Sequence, residues 1–454
     1  MKKLLSIALC AAMLSCALLT GPASASGERS LYLGGCGQAD KAYRELVKAN
    51  PDVTVRTSPN IYLSTNEIIN AFVCGEFPFD TFRMNSSDFD FCKMIEKGYC
   101  GKLTESALLR GEAERMLPSV QRLILRDGEL YGVPSFCNIQ YYMYNPDAWE
   151  AAGLSEEDIP KSFEEYLDFL EAWVERIRVN PEYEISVSNA FDSEQYGAHS
   201  YILYLVDLLL SNHIMQCNYA GEPLRFDTPT FRTLLTRCQE IGAALYAYEP
   251  EEKGDLALFD ERNGMRELAH FVPLRLTAEQ PVLIKATLYC AFLNVRSGEK
   301  EIATQYLENC LAYLTPDEGA YLYSDAQPIE DKQYLQLLNG LENAIRSLEK
   351  RLSDESLTPQ EQTALRDKLE EKQALWAQMS ESEARYLISE KDLENYRRYG
   401  DCLYFQAPSV FNPATEEGVN VRRLRDRFCM GALPAEQLIT ELNNLAWMLE
   451  MEGA

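Results

Sequence analysis

The stretch from Asp127 to Leu154 carries the side chains best suited to chemistry, and it reads DGELYGVPSFCNIQYYMYNPDAWEAAGL. After Pro134 the chain is expected to be extended, and successive side chains of an extended chain point to opposite faces. One face then holds Asn138, Gln140, Tyr142 and Tyr144, and the other holds Cys137, Ile139, Tyr141 and Met143. Amides offer fixed hydrogen-bond partners, while phenol rings offer flat apolar surfaces. The pattern predicts non-covalent recognition of a polar solute.

Sequence signatures of covalent and metal catalysis are missing. The chain contains no G-x-S-x-G, no G-x-x-x-x-G-K-[ST] and no H-E-x-x-H. Its three histidines, His199, His213 and His270, are widely separated, so neither a histidine triad nor a metal site is expected, and no cofactor is predicted. The 70 acidic residues leave glycan hydrolysis by a carboxylate pair open as an alternative, because spacing in sequence does not give distance in space.

Composition bounds the architecture and the partners. A chain of 454 residues with 46% hydrophobic residues exceeds the usual size of one domain, so two lobes are expected. Its formal net charge of -27 argues against nucleic-acid binding, which draws on clustered Lys and Arg. The same charge makes a bare anionic lipid surface a poor partner.

The amino terminus has the pattern of an export signal. Lys2 and Lys3 precede an apolar run, and Gly21 and Pro22 precede Ala-Ser-Ala, which predicts cleavage after Ala25. Lipid attachment at Cys16 is the competing interpretation. Either way the protein is expected to be exported, as a secreted, cell-surface or periplasmic protein. Most cysteines of the mature chain are expected to pack as small hydrophobes, since they lie within apolar runs.

The remaining pattern alternates between strands and helices. A short strand at 30–33 leads through a Gly-rich turn into a helix, strands follow at 52–55 and 79–84, and further helices begin at Ser162, near Ser200 and at Thr228. Later strands are expected at 256–259 and 287–295. Asp127 and Gly128 form the dipeptide of a two-residue β-hairpin. The rhythm predicts an α/β fold with ligands held at the carboxyl ends of its strands.

The segment 331–379 differs from its surroundings because it is highly charged and carries apolar residues at helical spacing. A restart at Thr358 and Pro359 predicts an antiparallel helical hairpin. An intramolecular decoration is favoured over a coiled-coil partner site, and a surface interaction protein that uses this hairpin is a third functional alternative.

Five pieces of the sequence, in order, resemble one family. Along the chain they are CGEFPFD at 74–80, the run 127–154, IPKSFEE at 159–165, the strand 254–259 and the segment 294–311. Three of them depart from the usual pattern: Phe79 interrupts the adjacent Pro and Asp, Ser162 and Phe163 stand for Thr and Trp, and Leu258 stands for Met. Together they are similar to the carbohydrate-type extracellular solute-binding proteins of ABC importers. Each piece is degenerate, and their order carries the resemblance.

The resemblance implies a two-lobed periplasmic-binding-protein-like fold of type II that closes on a solute and delivers it to a membrane permease. Lobe 1 is then expected at 26–137 and 284–325, and lobe 2 at 138–283 and 326–454, after a signal peptide at 1–25. A monomer that binds an oligosaccharide is expected. With four tryptophans, peptides, polyamines and other solutes stay open.

The resemblance also implies where the solute is held. Sugars present flat C–H faces that stack on aromatic rings and hydroxyls that need fixed partners. The expected ligand-binding residues are Gln38, Asp40, Met84, Asn85, Ser86, Ser87, Asn138, Gln140, Tyr141, Asp260 and Arg262.

Overall fold

The fold was determined as a computed structural model that describes residues 29–59, 65–87, 91–180, 185–188, 197–248, 256–354, 356–405 and 416–453. The predicted signal segment, with Cys16, lies outside these residues. The strands are β1 (Ser30–Gly34), β2 (Thr54–Ser58), β3 (Thr81–Asn85), β4 (Leu125–Arg126), β5 (Glu129–Leu130), β6 (Gly132–Tyr144), β7 (Ser186–Ser188), β8 (Ala257–Asn263), β9 (Ile284–Leu293), β10 (Ile329–Glu330), β11 (Tyr386–Ile388) and β12 (Leu403–Phe405).

Helices cover the sheet and extend from it. They are α1 (Lys41–Ala49), α2 (Thr65–Cys74), α3 (Phe91–Glu96), α4 (Ala107–Arg115), α5 (Pro118–Ile124), α6 (Pro146–Ala151), α7 (Phe163–Val179), α8 (Ser200–Ala220), α9 (Pro229–Tyr248), α10 (Lys300–Ala312), α11 (Pro316–Ala320), α12 (Lys332–Leu352), α13 (Pro359–Glu381), α14 (Glu390–Arg398), α15 (Glu416–Cys429) and α16 (Ala435–Gly453). In the described part of the chain, none of them combines the length and apolarity of a bilayer-crossing helix.

One mixed sheet runs through the molecule in the order β2-β1-β3-β9-β6-β8-β7, with β12 paired to β9 beside it. The strands β1, β2 and β3 are parallel, as are β7 and β8, whereas β9 is antiparallel to both β3 and β6. The strand β6 is also antiparallel to β8. The parallel pairs at each edge fit the predicted strand-helix rhythm, and the long antiparallel strands occupy the centre.

The predicted two-residue hairpin is present, and it feeds the longest strand. Asp127 and Gly128 both have positive φ, at 53° and 78°, as a type I′ turn requires. The pairing register joins Arg126 to Glu129. The strand β6 begins at Gly132 and continues through Pro134, paired with β9. A register shift between Pro134 and Phe136 accommodates the proline, which is tolerated at bulges.

Buried apolar side chains form two separate cores. The first core surrounds β1, β3 and β9, with Phe82, Phe292 and Tyr306 among its fully buried members. The second core gathers the helices α7, α8 and α9, with Tyr166, Phe231 and Phe259 at its centre. The strand β6 contributes to both, since Ile139 and Tyr141 lie in the first and Tyr142 in the second. The α/β class with two packed bodies agrees with the prediction.

The carboxyl-terminal segment after residue 326, which was expected in lobe 2, contributes to both cores. Ile388, Leu393, Tyr396 and Leu403 pack into the first core, whereas residues of α15 and α16 pack into the second. The strand β12 explains the difference, because its parallel pairing with β9 holds 403–405 against the first body. The chain therefore returns to the first body before it ends in the second.

The predicted helical hairpin is α12 and α13, which pack against each other along their length. The Tyr334 hydroxyl donates to the carbonyl of Met379 at 3.0 Å near the base of the pair. Thr358 caps α13 with a capping box to Glu361. The antiparallel pair β10 and β11 fastens the hairpin base, where Ile388 reaches the first core.

Acid is expected to destabilise the second core through His213. The His213 ring is buried, and its Nε2 lies 2.8 Å from the carbonyl oxygen of Arg225. Burial lowers the pKa of His213, although the bond to Arg225 opposes this. The unfolded chain then takes up the proton first, so stability is complete above about pH 6.5 and falls as the pH drops below that value.

The measurement compares His213→Gln with the parent protein by thermal melting at several pH values from neutral to mildly acidic. Glutamine can donate to the Arg225 carbonyl but does not titrate, so the variant is expected to lose less stability in acid than the parent. An identical acid response of both proteins would contradict this role.

A candidate ligand-binding face on the central sheet

Cross-strand register assembles one exposed surface from four strands at the centre of the sheet. Directly opposed residues share a face, and the pairs are Asn85 with Tyr289, Phe136 with Tyr289, Asn138 with Thr287, Gln140 with Lys285, and Gln140 with Asn263. Glu261 follows on the same face of β8. We call these residues the crossover face: Asn85, Phe136, Asn138, Gln140, Glu261, Asn263, Lys285, Thr287 and Tyr289.

The crossover face is open, whereas the reverse face of the same strands is packed. None of its nine residues is buried. On the reverse side, Cys137, Ile139, Ala286 and Leu288 are at most 1% exposed and belong to the first core. The predicted alternation is therefore observed over 136–140, with the amides outward, whereas Tyr142, which was expected on the same face as the amides, is 5% exposed and packs in the second core.

Two aromatic rings form one end of the crossover face. Phe136 and Tyr289 are 39% and 41% exposed, and their ring centroids lie 5.6 Å apart at an interplanar angle of 47°. Large exposed rings on a sheet surface forgo hydrophobic burial, which makes them suited to stacking on a flat apolar ligand surface.

Amides occupy the centre of the face. The Asn138 Nδ2 lies 3.5 Å from Asn263 Oδ1, and Gln140 Nε2 lies 3.4 Å from Glu261 Oε2. Both distances are at the long limit of a hydrogen bond, so these bonds are weak. The amides keep most of their hydrogen-bonding capacity for another partner.

Opposite charges mark the other end. Desolvation raises the pKa of the Glu261 carboxyl, and the nearby Lys285 ammonium partly opposes the rise. Desolvation lowers the pKa of Lys285, and Glu261 opposes that shift. Lys285 is half-buried and Glu261 is exposed, and each charge has its opposite nearby on the sheet.

Three predicted site residues lie on this face, namely Asn85, Asn138 and Gln140. Two more are close to it along the chain. The Ser87 hydroxyl donates to Asn85 Oδ1 at 2.6 Å, and the buried Ser86 hydroxyl accepts from the Leu288 amide at 3.0 Å. Ser86 therefore supports β9.

Six predicted residues lie elsewhere. Met84 and Tyr141, 3% and 5% exposed, point into the first core, because their parity is opposite to that of the face. Asp260 and Arg262 lie on the reverse parity of β8 and pair with each other at 3.0 Å. Their role in binding stays a prediction.

The turn after β1 holds the last two predicted residues. Asp40 caps α1 by accepting from the Ala42 amide at 2.9 Å, and it pairs with Arg83 at 2.8 Å. Its carboxylate is thereby engaged within the protein. Gln38 is exposed in the same turn. Neither is part of the crossover face as defined by strand pairing.

Sequence reasoning missed Phe136, Tyr289, Thr287 and Lys285. The alternation of 135–145 contained a signal for Phe136, because Phe136 lies two positions before Asn138 and therefore on the same face of the strand. The β9 residues gave no comparable signal, because the sequence IKATLYCAFL does not by itself reveal which strands it opposes. Register with β6 supplies that information.

No protein-family model matches this chain, and no curated protein matches it. Solved structures that resemble it include an ABC substrate-binding protein from Listeria monocytogenes in complex with cycloalternan, at 12% identity and a TM-score of 0.44, covering 93% of this chain and 98% of that one. A chitin oligosaccharide binding protein is 11% identical with a TM-score of 0.47, and the match covers 93% of this chain and 98% of that one. A maltose-bound protein from T. maritima is 13% identical with a TM-score of 0.44, and the match covers 92% of this chain and 99% of that one. Each of these three proteins is described as binding a sugar.

Proposed function

We propose that this protein is an extracellular solute receptor of an ABC import system and that it binds a carbohydrate, most simply an oligosaccharide, on the crossover face. The observation that carries the proposal is the exposed ring pair of Phe136 and Tyr289 beside the weakly bonded amides of Asn138 and Gln140. Rings stack on the C–H faces of sugars, and amides bond to their hydroxyls. Both features lie where strands pass between two cores.

The receptor works by closure without covalent chemistry. The two bodies turn about the connecting strands and enclose the solute, and the bound state is stabilised by mass action. The closed form delivers its cargo to the membrane permease subunits. Export follows from the amino-terminal signal, with cleavage after Ala25 or lipid attachment at Cys16, and the receptor acts as a monomer.

The test is a thermal-shift screen of neutral mono- and oligosaccharides, peptides and polyamines, with chromatography of each sugar after incubation. Stabilisation by a sugar that is recovered intact supports the receptor. Cleavage of a sugar would replace it with the carboxylate-pair hydrolase, and stabilisation by peptides or polyamines alone would contradict carbohydrate binding.

Asn138→Ala is expected to weaken sugar binding by about 1 to 3 kcal/mol, because a hydroxyl that bonds to this amide loses its partner inside the complex. The melting temperature should stay close to that of the parent, since among the described residues the one hydrogen bond of this side chain is the weak 3.5 Å bond to Asn263. Isothermal titration calorimetry gives the affinity, with the exposed Asn218→Ala as a control. Unchanged affinity in Asn138→Ala would remove this residue from the site.

A further inference from the structure

Lys285 and Glu261 stand on either side of Gln140 on the crossover face. Lys285 is directly opposite Gln140 on β9, and Glu261 Oε2 lies 3.4 Å from the Gln140 amide on the β8 side. One central amide therefore separates a donor that carries a positive charge from an acceptor that carries a negative charge.

Charged side chains near Lys285 and Glu261 form ion pairs with other residues, whereas Lys285 and Glu261 do not form an ion pair with each other. Asp260 pairs with Arg262, and Asp207 pairs with Arg425. Among the described residues, neither Lys285 nor Glu261 has an ion-pair partner within 4.0 Å, although each is close enough to the other to oppose the shift of its pKa. Lys285 and Glu261 therefore both carry charges without an ion-pair partner among the described residues, and both lie on the face that is proposed to hold the ligand.

Burial of the Lys285 ammonium makes this separation costly. Lys285 is half-buried and Glu261 is exposed, and desolvation by nearby protein atoms shifts the pKa of each group in the direction that disfavours its charged form. A ligand that covers the face removes more water and must therefore supply polar contacts. A hydroxyl satisfies both groups at once, because its oxygen accepts from the ammonium while its proton is donated to the carboxylate.

A charged ligand group can satisfy only one of the two. A carboxylate near Lys285 is repelled by Glu261, and an ammonium near Glu261 is repelled by Lys285. Juxtaposed like charges in a desolvated contact suppress binding strongly. The pair has no net charge, so it favours a ligand group that has none.

We propose that Lys285 and Glu261 are specificity-determining residues that hold one hydroxyl of an uncharged sugar between them and exclude sugars with a carboxylate or an amine at that position. This inference rests on the proposed function and deepens it. It predicts that removal of either charge alters selectivity in a direction set by the charge that remains.

The experiment is calorimetry of the parent, Glu261→Gln and Lys285→Met with three probes. They are the neutral trisaccharide that gives the largest shift in the screen, trigalacturonate and the glucosamine trimer, all at near-neutral pH. The parent is expected to prefer the neutral sugar. Glu261→Gln should bind trigalacturonate about tenfold more tightly than the parent does, and Lys285→Met should bind the glucosamine trimer about tenfold more tightly, each without the converse gain.

Lys48→Met is the control for loss of a positive charge, because Lys48 lies on the exposed surface of α1 and its side chain is 75% exposed. Melting curves establish that each variant is folded. A parent that prefers either charged probe, or variants that lower all three affinities equally, would overturn the selectivity role while leaving the receptor in place. Failure of every sugar, neutral or charged, to bind the parent would instead overturn the proposed function and this inference with it.

Discussion

Phe292→Ala is expected to lower the free energy of unfolding by about 3 to 5 kcal/mol, the usual cost of deleting a phenyl ring from a packed core. Phe292 is completely buried on β9, where its ring lies 5.7 Å from that of Phe82 and 5.0 Å from that of Phe91. An added Cβ at Gly132 would come within 2.9 Å of this ring, which shows how closely β6 approaches it.

The measurement is denaturant unfolding followed by circular dichroism. Phe136→Ala is the matched control, since it removes the same side chain from β6 at a position that is 39% exposed, and its cost should be below about 1 kcal/mol. Equal losses in the two variants would mean that Phe292 does not have the core role assigned to it.

The double variant Phe136→Ala/Tyr289→Ala is expected to weaken sugar binding by about 2 to 3 kcal/mol and to leave the fold intact. Both rings are exposed and stand together at one end of the crossover face. Their loss removes the stacking surface for the sugar, and exposed aromatic side chains are often the residues that contribute most to binding energy. The effect should exceed that of Asn138→Ala, because two anchors are lost.

Calorimetry with the sugar found by thermal shift gives the affinity, and each single ring variant shows whether the two act together. Tyr219→Ala is the control, since Tyr219 is 52% exposed near the end of α8, a helix that contributes no residue to the crossover face. Full affinity in the double variant would show that the sugar binds elsewhere, and the crossover face would then lose its proposed role.

Local patterns were sufficient to predict the parts of the fold that depend on neighbouring residues. Period-two alternation placed Asn138 and Gln140 outward, and the Asp127-Gly128 dipeptide predicted its turn, since a type I′ turn needs two residues that tolerate positive φ. Helical periodicity and the Thr358 cap gave the hairpin of α12 and α13. In each case the physical determinant lies within a few residues of the feature.

Pairing between distant strands could not be predicted in the same way. Tyr289 and Lys285 join the face only because β9 lies between β3 and β6, and nothing within β9 specifies those partners. Met84 and Tyr141 were expected at the site from the resemblance to the family, yet odd or even position on the strand decides their direction. A shift by one residue exchanges the two faces of a strand, so proximity along the chain is a poor guide.

The position of β9 also bears on how the polypeptide matures. The sheet places β9 between β3 and β6, although β9 is synthesised after the helices α7, α8 and α9 of the second core. Before residue 293 emerges from the ribosome, β3 and β6 have unpaired edges that face a vacant position. The amino-terminal third of the chain therefore cannot complete its share of the sheet until this late segment has been made.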